Sequence, residues 1–373
     1  MRRRGDLRHA RLHGRGQAGA RAADPAGAGA RGRRGPSVSP TPTRGTLADG
    51  WGRAVTYLRL SVTDRCNYRC TYCMPPEGLP DKLPHHSILT FEEAERIVGV
   101  LAASGVRRVR LTGGEPLARR GLEDLVRRLV RVPGVAQVVM TTNGHGLAGR
   151  LAALAAAGLG GVSVSLDSLD GARFRRVTRQ GDLDEVRRGI AAATARFRGV
   201  RLNTVAIAGF NDDEVGAICR YAWDLGCVPR FIEHMPMSDG RLEIPGRFLT
   251  AAAVRARLLG DLAGTLTPDP GDGEGGGPAR YWRHSGGGLV GFIAPLTEHF
   301  CDSCNRVRLD ASGRLHACLY HSDAADLRAA LAAGGATAVA AAARAVLSRK
   351  PPEHQFGPGT DGASPKHMGA LGG

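Results

Sequence analysis

The sequence has no run of about 18 consecutive apolar residues, the length needed to cross a bilayer as a helix. It also has no apolar segment near the N-terminus of the kind that directs secretion. We therefore expect no membrane span and a cytoplasmic location. Aromatic residues are few, at 5%, but 42% of the chain is hydrophobic. A chain of 373 residues with this composition can form one large domain and a smaller one.

Cysteine is scarce as well, with 8 residues in 373, yet six of them fall in two tight sets. The first set is Cys66, Cys70 and Cys73, spaced C-x3-C-x2-C, and the second is Cys301, Cys304 and Cys318, spaced C-x2-C-x13-C. A disulfide framework is not expected in a chain this long, and clustered thiolates favour metal binding in a reducing compartment.

Each cysteine set offers three ligands where a closed structural zinc site or an ordinary iron–sulfur cubane uses four. Three thiolates on a cluster leave one metal open to a small molecule. The alternatives are buried core cysteines, half of a zinc knuckle, or, for the second set, a zinc ribbon completed by Cys219, Cys227 or a histidine.

Residues 1–50 contain almost no large apolar side chain, so we expect them to be disordered. They carry eleven Arg and three Asp, a net charge of +8 out of +16 for the whole chain. Such a head could be a basic nucleic-acid arm, an organelle transit peptide, or a translated stretch upstream of the true start. We favour the last interpretation.

From residue 51 to about 245, strand patterns and helix patterns alternate six times, which predicts a parallel α/β sheet. This pattern allows an open doubly wound sheet or a partial barrel. After residue 245 the alternation ends, which suggests a second region over 246–373 with a Gly/Pro/Asp linker at 268–278. The strands are expected at 56–62, 107–112, 135–141, 161–166, 200–207, 228–234, 279–283 and 289–293, and the helices at 91–103, 122–130, 147–157, 183–196, 212–225 and 324–349.

The first cysteine set, the aromatic Tyr72 before its last member and the later Thr-Gly-Gly-Glu-Pro segment at 112–116 together resemble the radical S-adenosylmethionine enzymes. The resemblance implies an α/β fold, a partial (β/α)6 TIM-like barrel with a C-terminal α+β cluster-binding region. It implies a [4Fe-4S] cluster on the first three cysteines, with S-adenosylmethionine on the fourth iron. It assigns cofactor contacts to Tyr72, Gly114, Ser165 and Met235.

Further motifs narrow the resemblance over about residues 53–373: Thr-Thr-Asn-Gly, Val-Ser-Leu-Asp, Arg-Phe-Ile-Glu-His-Met, the second cysteine set and a terminal Gly-Gly. Together they resemble the branch that cyclises GTP in molybdenum cofactor biosynthesis. That branch carries a second [4Fe-4S] cluster, here on Cys301, Cys304 and Cys318, whose open iron holds the substrate. The double glycine, Gly372 and Gly373, is implied to enter the active site and assist catalysis.

The resemblance assigns triphosphate binding to arginines, whose guanidinium forks suit phosphate oxygens. Position 201 is often Lys in the family, so this chain keeps the charge but changes the geometry. Thr141 is implied to contact either GTP or S-adenosylmethionine. The assigned substrate residues are Arg59, Arg110, Thr141, Arg201, Arg306 and Arg308.

The implied activity is that of a lyase that converts GTP to (8S)-3′,8-cyclo-7,8-dihydroguanosine 5′-triphosphate. A 5′-deoxyadenosyl radical would take hydrogen from ribose C3′, and the carbon radical would add to C8 of guanine. The implied partners are an external one-electron reductant, a downstream cyclic pyranopterin monophosphate synthase and a second copy of the chain in a homodimer, with neither membrane nor nucleic acid. The rival hypotheses are a radical enzyme that matures a peptide and a zinc-stabilised nucleic-acid binder.

Overall fold

The computed structural model describes residues 45–237, 246–270, 277–356 and 368–371. Six parallel strands run in the order of the sequence, each hydrogen-bonded to the next. This confirms the predicted succession of strand–helix units. The strands are β1 (Tyr57–Ser61), β2 (Arg108–Thr112), β3 (Gln137–Thr142), β4 (Val162–Ser165), β5 (Arg201–Ala208) and β6 (Val228–Glu233). The helices between them are α1 (Phe91–Ala103), α2 (Leu122–Leu129), α3 (Leu147–Ala156), α4 (Gly171–Thr178), α5 (Leu183–Arg196) and α6 (Val215–Asp224).

The C-terminal region extends this sheet at both edges. One of its strands pairs in parallel with β1 and another in parallel with β6. Among the described strands the sheet is not closed by hydrogen bonds, and residues from all six parallel strands line one cavity, so the partial barrel predicted from the resemblance is confirmed. The additional elements are β7 (Arg247–Phe248), α7 (Ala251–Asp261), β8 (Leu266–Asp269), β9 (Arg280–His284), β10 (Leu289–Ile293), β11 (Arg306–Leu309), β12 (Arg314–His316), β13 (Ala324–Asp326), α8 (Leu327–Leu347) and α9 (Met368–Leu371).

Strand β2 shows which side chains face the apolar core and which face the barrel interior. All five of its residues are buried, but only Val109 and Leu111 join the apolar core shared with the helices. Because alternate side chains point to opposite faces of a strand, Arg108 and Arg110 face the barrel interior, where they line a cavity. The fold therefore places charge inside the barrel and keeps the apolar core between sheet and helices.

Local signals explain where helices begin. Helix α1 starts with the predicted capping box, in which the Thr90 hydroxyl accepts from the Glu93 amide and the Glu93 carboxylate accepts from the Thr90 amide. Helices α4 and α7 were not predicted, although Asp170 and Thr250 cap them through the same kind of contact. Helix α4 has three arginines among its eight residues, so few apolar positions mark it, and the Ala-rich helix α7 has a weak apolar repeat.

The linker predicted at 268–278 is shorter than expected. Pro268 and Asp269 belong to β8, which pairs antiparallel with β9. Strand β8 is the last strand of the sheet, and an edge strand tolerates a proline because one side of it needs no ladder hydrogen bond. Residues 271–276 lie outside the described part of the chain.

The folded part of the chain begins before residue 51, where the sequence-based boundary was drawn. Leu47 is buried and its amide donates to the Ser104 carbonyl, and Asp49 is buried beside Arg53. Residues 1–44, which hold most of the predicted disordered head, lie outside the described residues.

Helix α8 is long and apolar enough to cross a membrane by length and composition alone, with a mean hydropathy of 1.6. It is interrupted at Gly334 and Gly335, whose backbone angles are not helical. Its apolar residues Leu327 and Val339 are part of the core that also contains the buried face of α1.

Candidate active site

One cavity of about 550 Å³ receives every predicted site residue that the structure describes. It lies inside the barrel and extends to the carboxyl ends of the parallel strands, where the loops that follow β1, β2, β3 and β6 meet. Residues separated by more than 200 positions in sequence face each other across it. The predicted residues that line it are Arg59, Cys66, Cys70, Tyr72, Cys73, Arg110, Gly114, Thr141, Ser165, Arg201, Met235, Cys301, Cys304, Arg306, Arg308 and Cys318.

The first cysteine triad lies in the loop after β1. The amide of Cys73 donates to the Cys70 carbonyl at 2.9 Å, which folds the motif into a turn. Burial raises the pKa of Cys66 to about 11 and that of Cys73 to about 12, and the neighbouring thiols add to the pKa shift at Cys70 and Cys73. Three half-buried thiols that raise one another's pKa cannot all ionise without a compensating cation. The donor set therefore fits an iron–sulfur cluster, whose iron supplies that charge.

The Gly113–Gly114 pair packs against the backbone that leads into this triad. The Gly114 amide donates to the Thr63 carbonyl at 2.8 Å. A Cβ atom added at Gly114 would lie 2.3 Å from the Arg65 carbonyl oxygen, and one at Gly113 would lie 2.4 Å from the Thr63 carbonyl oxygen. Only glycine allows this approach, so the motif fixes the position of the chain directly before Cys66.

Glu115, in the same motif, is a buried carboxylate that the sequence analysis did not assign. It accepts hydrogen bonds from the Thr142 hydroxyl and the Asn143 amide, both at 2.7 Å. Burial raises its pKa to about 7. The side-chain amide of Asn143 approaches Cys66 Sγ at 3.9 Å, so Glu115 links the end of β3 to the first triad.

A second unassigned carboxylate, Asp167, lies behind Tyr72. The Tyr72 hydroxyl donates to Asp167 Oδ2 at 2.6 Å, and Asp167 Oδ1 accepts from the Val205 amide at 2.9 Å. Burial raises the pKa of Asp167 to about 6. The Val-Ser-Leu-Asp motif contains this residue, but the resemblance assigns a role only to Ser165 in it.

Arginines from three neighbouring strands stand side by side in the cavity. The register pairs Arg59 of β1 with Arg308 of β11 on one side and with Arg110 of β2 on the other. Two residues earlier in β1, Tyr57 pairs with Arg306 of β11 on one side and with Arg108 of β2 on the other. The alternation predicted for Arg306 and Arg308 is confirmed, because both fall on the cavity face of β11.

Holding this row of like charges inside the protein costs free energy. Burial and the neighbouring Arg308 hold the pKa of Arg59 well below its usual value. Burial and the neighbouring Arg306 lower the pKa of Arg308 to about 10. Tyr57 accepts a hydrogen bond from Arg110 Nε, and although burial alone would raise its pKa, Arg110 and Arg59 lower it to about 8. Such an arrangement is stabilised by an anion with several negative charges.

Replacing Arg308 with Met should have effects of opposite sign on stability and binding. The ligand-free protein loses a desolvated charge beside two others, so its melting temperature should rise by about 1–3 °C. Affinity for GTP should fall by about 100-fold, the loss typical of one buried charge contact. Differential scanning fluorimetry and equilibrium GTP binding measure the two effects.

Arg107→Met is the matched control, because Arg107 precedes the same row of residues on β2 but is exposed. Its GTP affinity should match that of the unaltered protein. A lower melting temperature for the Arg308 variant together with unchanged GTP affinity would contradict a triphosphate site here.

The second cysteine triad surrounds β11. Cys301 lies in a short 3-10 helix, Cys304 two residues before β11 begins and Cys318 two residues after β12 ends. Burial alone would raise the pKa of Cys304, but Arg306 and Lys350 outweigh it and lower the pKa to about 6. This thiol is held as a thiolate and is ready to bind metal.

Lys350 is buried behind Cys304. Its Nζ lies 3.2 Å from the Cys304 carbonyl oxygen and 3.7 Å from Cys304 Sγ, and 3.6 Å from the Asp49 carboxylate. Arg53, which bonds Asp49, also donates to the Cys301 carbonyl at 2.8 Å. The segment before β1 thus fixes the second triad, a link that no local sequence pattern signals.

Cys219 and Cys227, which had been considered as fourth ligands, lie in the apolar cores and are not among the residues that line the cavity. The role of the C-terminal double glycine stays a prediction. Gly372 and Gly373 lie outside the described residues, but Met368 and Gly369 of α9 line the cavity, and a Cβ at Gly369 would lie 4.0 Å from Cys73 Sγ.

Several further residues line the cavity and were missed in the sequence. Arg108 lies on the same face of β2 as the assigned Arg110, and Arg230 alternates with apolar residues in β6. This period-two pattern was the signal available in the sequence. Arg230 Nη2 donates to the Ser163 hydroxyl at 3.1 Å. His234 precedes Met235, its Nε2 has no hydrogen-bond partner, and burial lowers its pKa to about 4.

Two family models match the chain: the one described as Radical SAM superfamily over residues 60–222, and the one described as Molybdenum Cofactor Synthesis C over residues 228–356. The GTP 3′,8-cyclase of Pelotomaculum thermopropionicum is 45% identical over 313 residues, which cover 83% of this chain and 95% of that protein. The GTP 3′,8-cyclase of Rhodopseudomonas palustris is 44% identical, with 85% and 92% covered, and that of Heliobacterium modesticaldum is 42% identical, with 88% and 100% covered. Among solved structures, Streptococcus suis SuiB bound to S-adenosylmethionine aligns with a TM-score of 0.47 and 16% identity, covering 54% of this chain and 46% of that one.

Proposed function

Because the chain belongs to the GTP 3′,8-cyclase family of radical S-adenosylmethionine enzymes, we propose that it converts GTP to (8S)-3′,8-cyclo-7,8-dihydroguanosine 5′-triphosphate. This reaction is the first step of molybdenum cofactor biosynthesis. One observation carries the proposal: a single cavity joins two three-cysteine sets and a row of arginines. Each part alone fits many proteins, but their combination fits a reaction between a triphosphate and two metal clusters.

Cys66, Cys70 and Cys73 would hold one [4Fe-4S] cluster with S-adenosylmethionine, and Cys301, Cys304 and Cys318 would hold a second. Bound together, the first cluster and S-adenosylmethionine supply a 5′-deoxyadenosyl radical for hydrogen abstraction. The chain's part is to fix the reactants. Gly114, Ser165, Tyr72 and Met235 line the same cavity and would bind the cofactor.

The triphosphate binds to the arginine row. Arg59, Arg110 and Arg308 are register neighbours, so their guanidinium groups present one continuous surface of donors, and Arg201 and Arg306 extend it. Arg110 Nη1 donates to the Thr141 hydroxyl at 2.9 Å. The sequence left open whether Thr141 contacts GTP or S-adenosylmethionine. We therefore assign Thr141 to the GTP site.

Gly372 and Gly373 would reach the cavity from α9, whose residues Met368 and Gly369 already line it. An external one-electron reductant, a downstream cyclic pyranopterin monophosphate synthase, a homodimer and a cytoplasmic location complete the proposal.

The proposal is tested by anaerobic reconstitution followed by incubation with GTP, S-adenosylmethionine and dithionite. We expect about eight iron atoms per chain, as two [4Fe-4S] clusters require, and 5′-deoxyadenosine with a cyclised GTP product in equal amounts. A protein with two zinc ions and no acid-labile sulfide would overturn the enzyme assignment. Formation of 5′-deoxyadenosine with a peptide but not with GTP would overturn the substrate assignment.

A further inference from the structure

The carboxyl end of helix α4 packs against the loop that carries the first triad, and nothing in the proposed reaction uses this contact. The last carbonyls of a helix have no partner within the helix itself. Here the Thr178 carbonyl accepts a hydrogen bond from the Arg69 amide at 3.0 Å. The Val177 carbonyl accepts one from the Thr71 amide at 2.8 Å. Because the two amides lie on either side of Cys70, the end of α4 fixes the backbone at this cysteine.

Arg179, the residue directly after α4, has a strained backbone. Its φ is 61° and its ψ is −32°, a combination that residues with a Cβ atom rarely adopt. Among the residues that the structure describes, it is the only one other than glycine with a positive φ. The chain turns sharply here, and the Gly181 amide donates to the Thr178 hydroxyl at 2.9 Å. Glycine adopts such a conformation without strain, so the reason for an arginine must lie in its side chain.

The guanidinium group of Arg179 contacts the same cysteine loop. Its Nη1 donates to the Arg69 carbonyl at 2.9 Å and to the Met74 carbonyl at 3.1 Å. Arg69 directly precedes Cys70 in the sequence. Met74 directly follows Cys73, so one nitrogen atom bridges the two ends of the C-x2-C turn. The side chain thus ties both ends of this turn to the end of α4.

We propose that Arg179 is a positioning residue for the first cluster, which holds the turn from Cys70 to Cys73 in place before any iron is bound. The inference rests on the proposed [4Fe-4S] cluster at the first triad. A loop that is already ordered loses less conformational entropy when its thiolates bind a cluster. The contacts of the guanidinium group compensate for the strained backbone, which places the strain beside a functional site.

The first test measures hydrogen–deuterium exchange of the full-length, cluster-free protein. Arg179→Gly removes the guanidinium group and relieves the backbone strain in one change. Peptides that cover residues 66–74 should exchange about tenfold faster in this variant, because two hydrogen bonds to the loop are lost. Arg179→Ala loses the same hydrogen bonds but keeps the strain, so its melting temperature should lie about 2–4 °C below that of Arg179→Gly.

The second test measures how fast the reconstituted protein loses iron to a chelator. In Arg179→Gly and Arg179→Ala, about four of eight iron atoms should leave about 10- to 100-fold faster, the range typical of residues that orient metal ligands. The other four belong to the second cluster and should leave at the unaltered rate. Equilibrium binding of S-adenosylmethionine should weaken in the same variants. Arg179→Lys keeps a cationic donor and should recover part of the iron retention.

Arg175→Ala is the matched control, because Arg175 is an exposed arginine of α4 four residues before Arg179. It should leave both exchange and iron loss unchanged. If the Arg179 variants differ from the unaltered protein in melting temperature alone, Arg179 only ends the helix and the inference is wrong. None of these measurements uses GTP, so that result leaves the proposed cyclisation standing. An unaltered protein without a cluster at the first triad would overturn the proposed function, whereas the exchange measurement would still test Arg179.

Discussion

Replacing Cys304 with Ser should abolish formation of the cyclised nucleotide while S-adenosylmethionine is still cleaved. Replacing Cys70 with Ser should abolish both the cyclisation and the cleavage. The two thiols line one cavity but belong to triads at different places in the chain. Loss of a metal ligand should cost more than the roughly 10- to 100-fold effect of outer-shell partners, so product should fall by more than about 100-fold in either variant. Each variant should retain about four of eight iron atoms per chain.

Chromatography of 5′-deoxyadenosine and product after anaerobic incubation, together with iron analysis, separates these outcomes. Cys227→Ala is the matched control, because Cys227 is buried in the apolar core and is not among the cavity-lining residues. It should retain about eight iron atoms and full product. Product formation by the Cys304 variant at an undiminished rate would mean that the second triad does not serve the reaction.

Sequence patterns could identify the residues whose role follows from a local motif. The spacing of Cys66, Cys70 and Cys73 and the period-two pattern of Arg306 and Arg308 are local properties, and the structure gathers these five residues in one cavity. Strand order also followed from the alternation of patterns, because parallel strands joined by helices usually lie beside their neighbours in sequence.

What the sequence could not give is contact between distant side chains. The register that sets Arg308 beside Arg59 joins positions about 250 residues apart, and so does the contact of Arg53 with Cys301. In the sequence, Lys350 is a single charged residue after an Ala-rich segment. Only the fold shows that it is buried against Cys304 and Asp49. Raised carboxylate pKa values, as at Glu115, depend on burial that no motif specifies.

The parallel pairing of β10 and β11 with the barrel strands was missed for a related reason. Neither strand is joined to its parallel neighbour by the helix that signals a strand–helix unit. Strand β11 reaches β1 from the far end of the chain, and β10 reaches β6 after α7 and the three strands β7, β8 and β9. The predicted second region therefore contributes to the first region's sheet, and this sharing brings the second triad to the same cavity.

Replacing Gly114 with Ala should remove S-adenosylmethionine binding and destabilise the loop that carries the first triad. The added Cβ would lie 2.3 Å from the Arg65 carbonyl oxygen and 2.9 Å from that of Asp64, so backbone must move on one side or the other. Overpacking of this kind costs up to about 3 kcal/mol. The melting temperature should therefore fall by several degrees. Since Gly114 also bonds Thr63, the movement reaches Cys66 within three residues.

Gly99→Ala makes the same chemical change where it should be harmless. Gly99 lies within α1 and an added Cβ meets no atom within 4 Å, so the variant should be more stable by about 0.5–1 kcal/mol. Equilibrium binding of S-adenosylmethionine, iron content and thermal unfolding distinguish the two variants. The Gly114 variant should keep the four iron atoms of the second cluster, about half of the total, because Cys301, Cys304 and Cys318 are held by other elements. If it binds S-adenosylmethionine with unchanged affinity, the close approach of the two backbones is not what the cofactor site depends on.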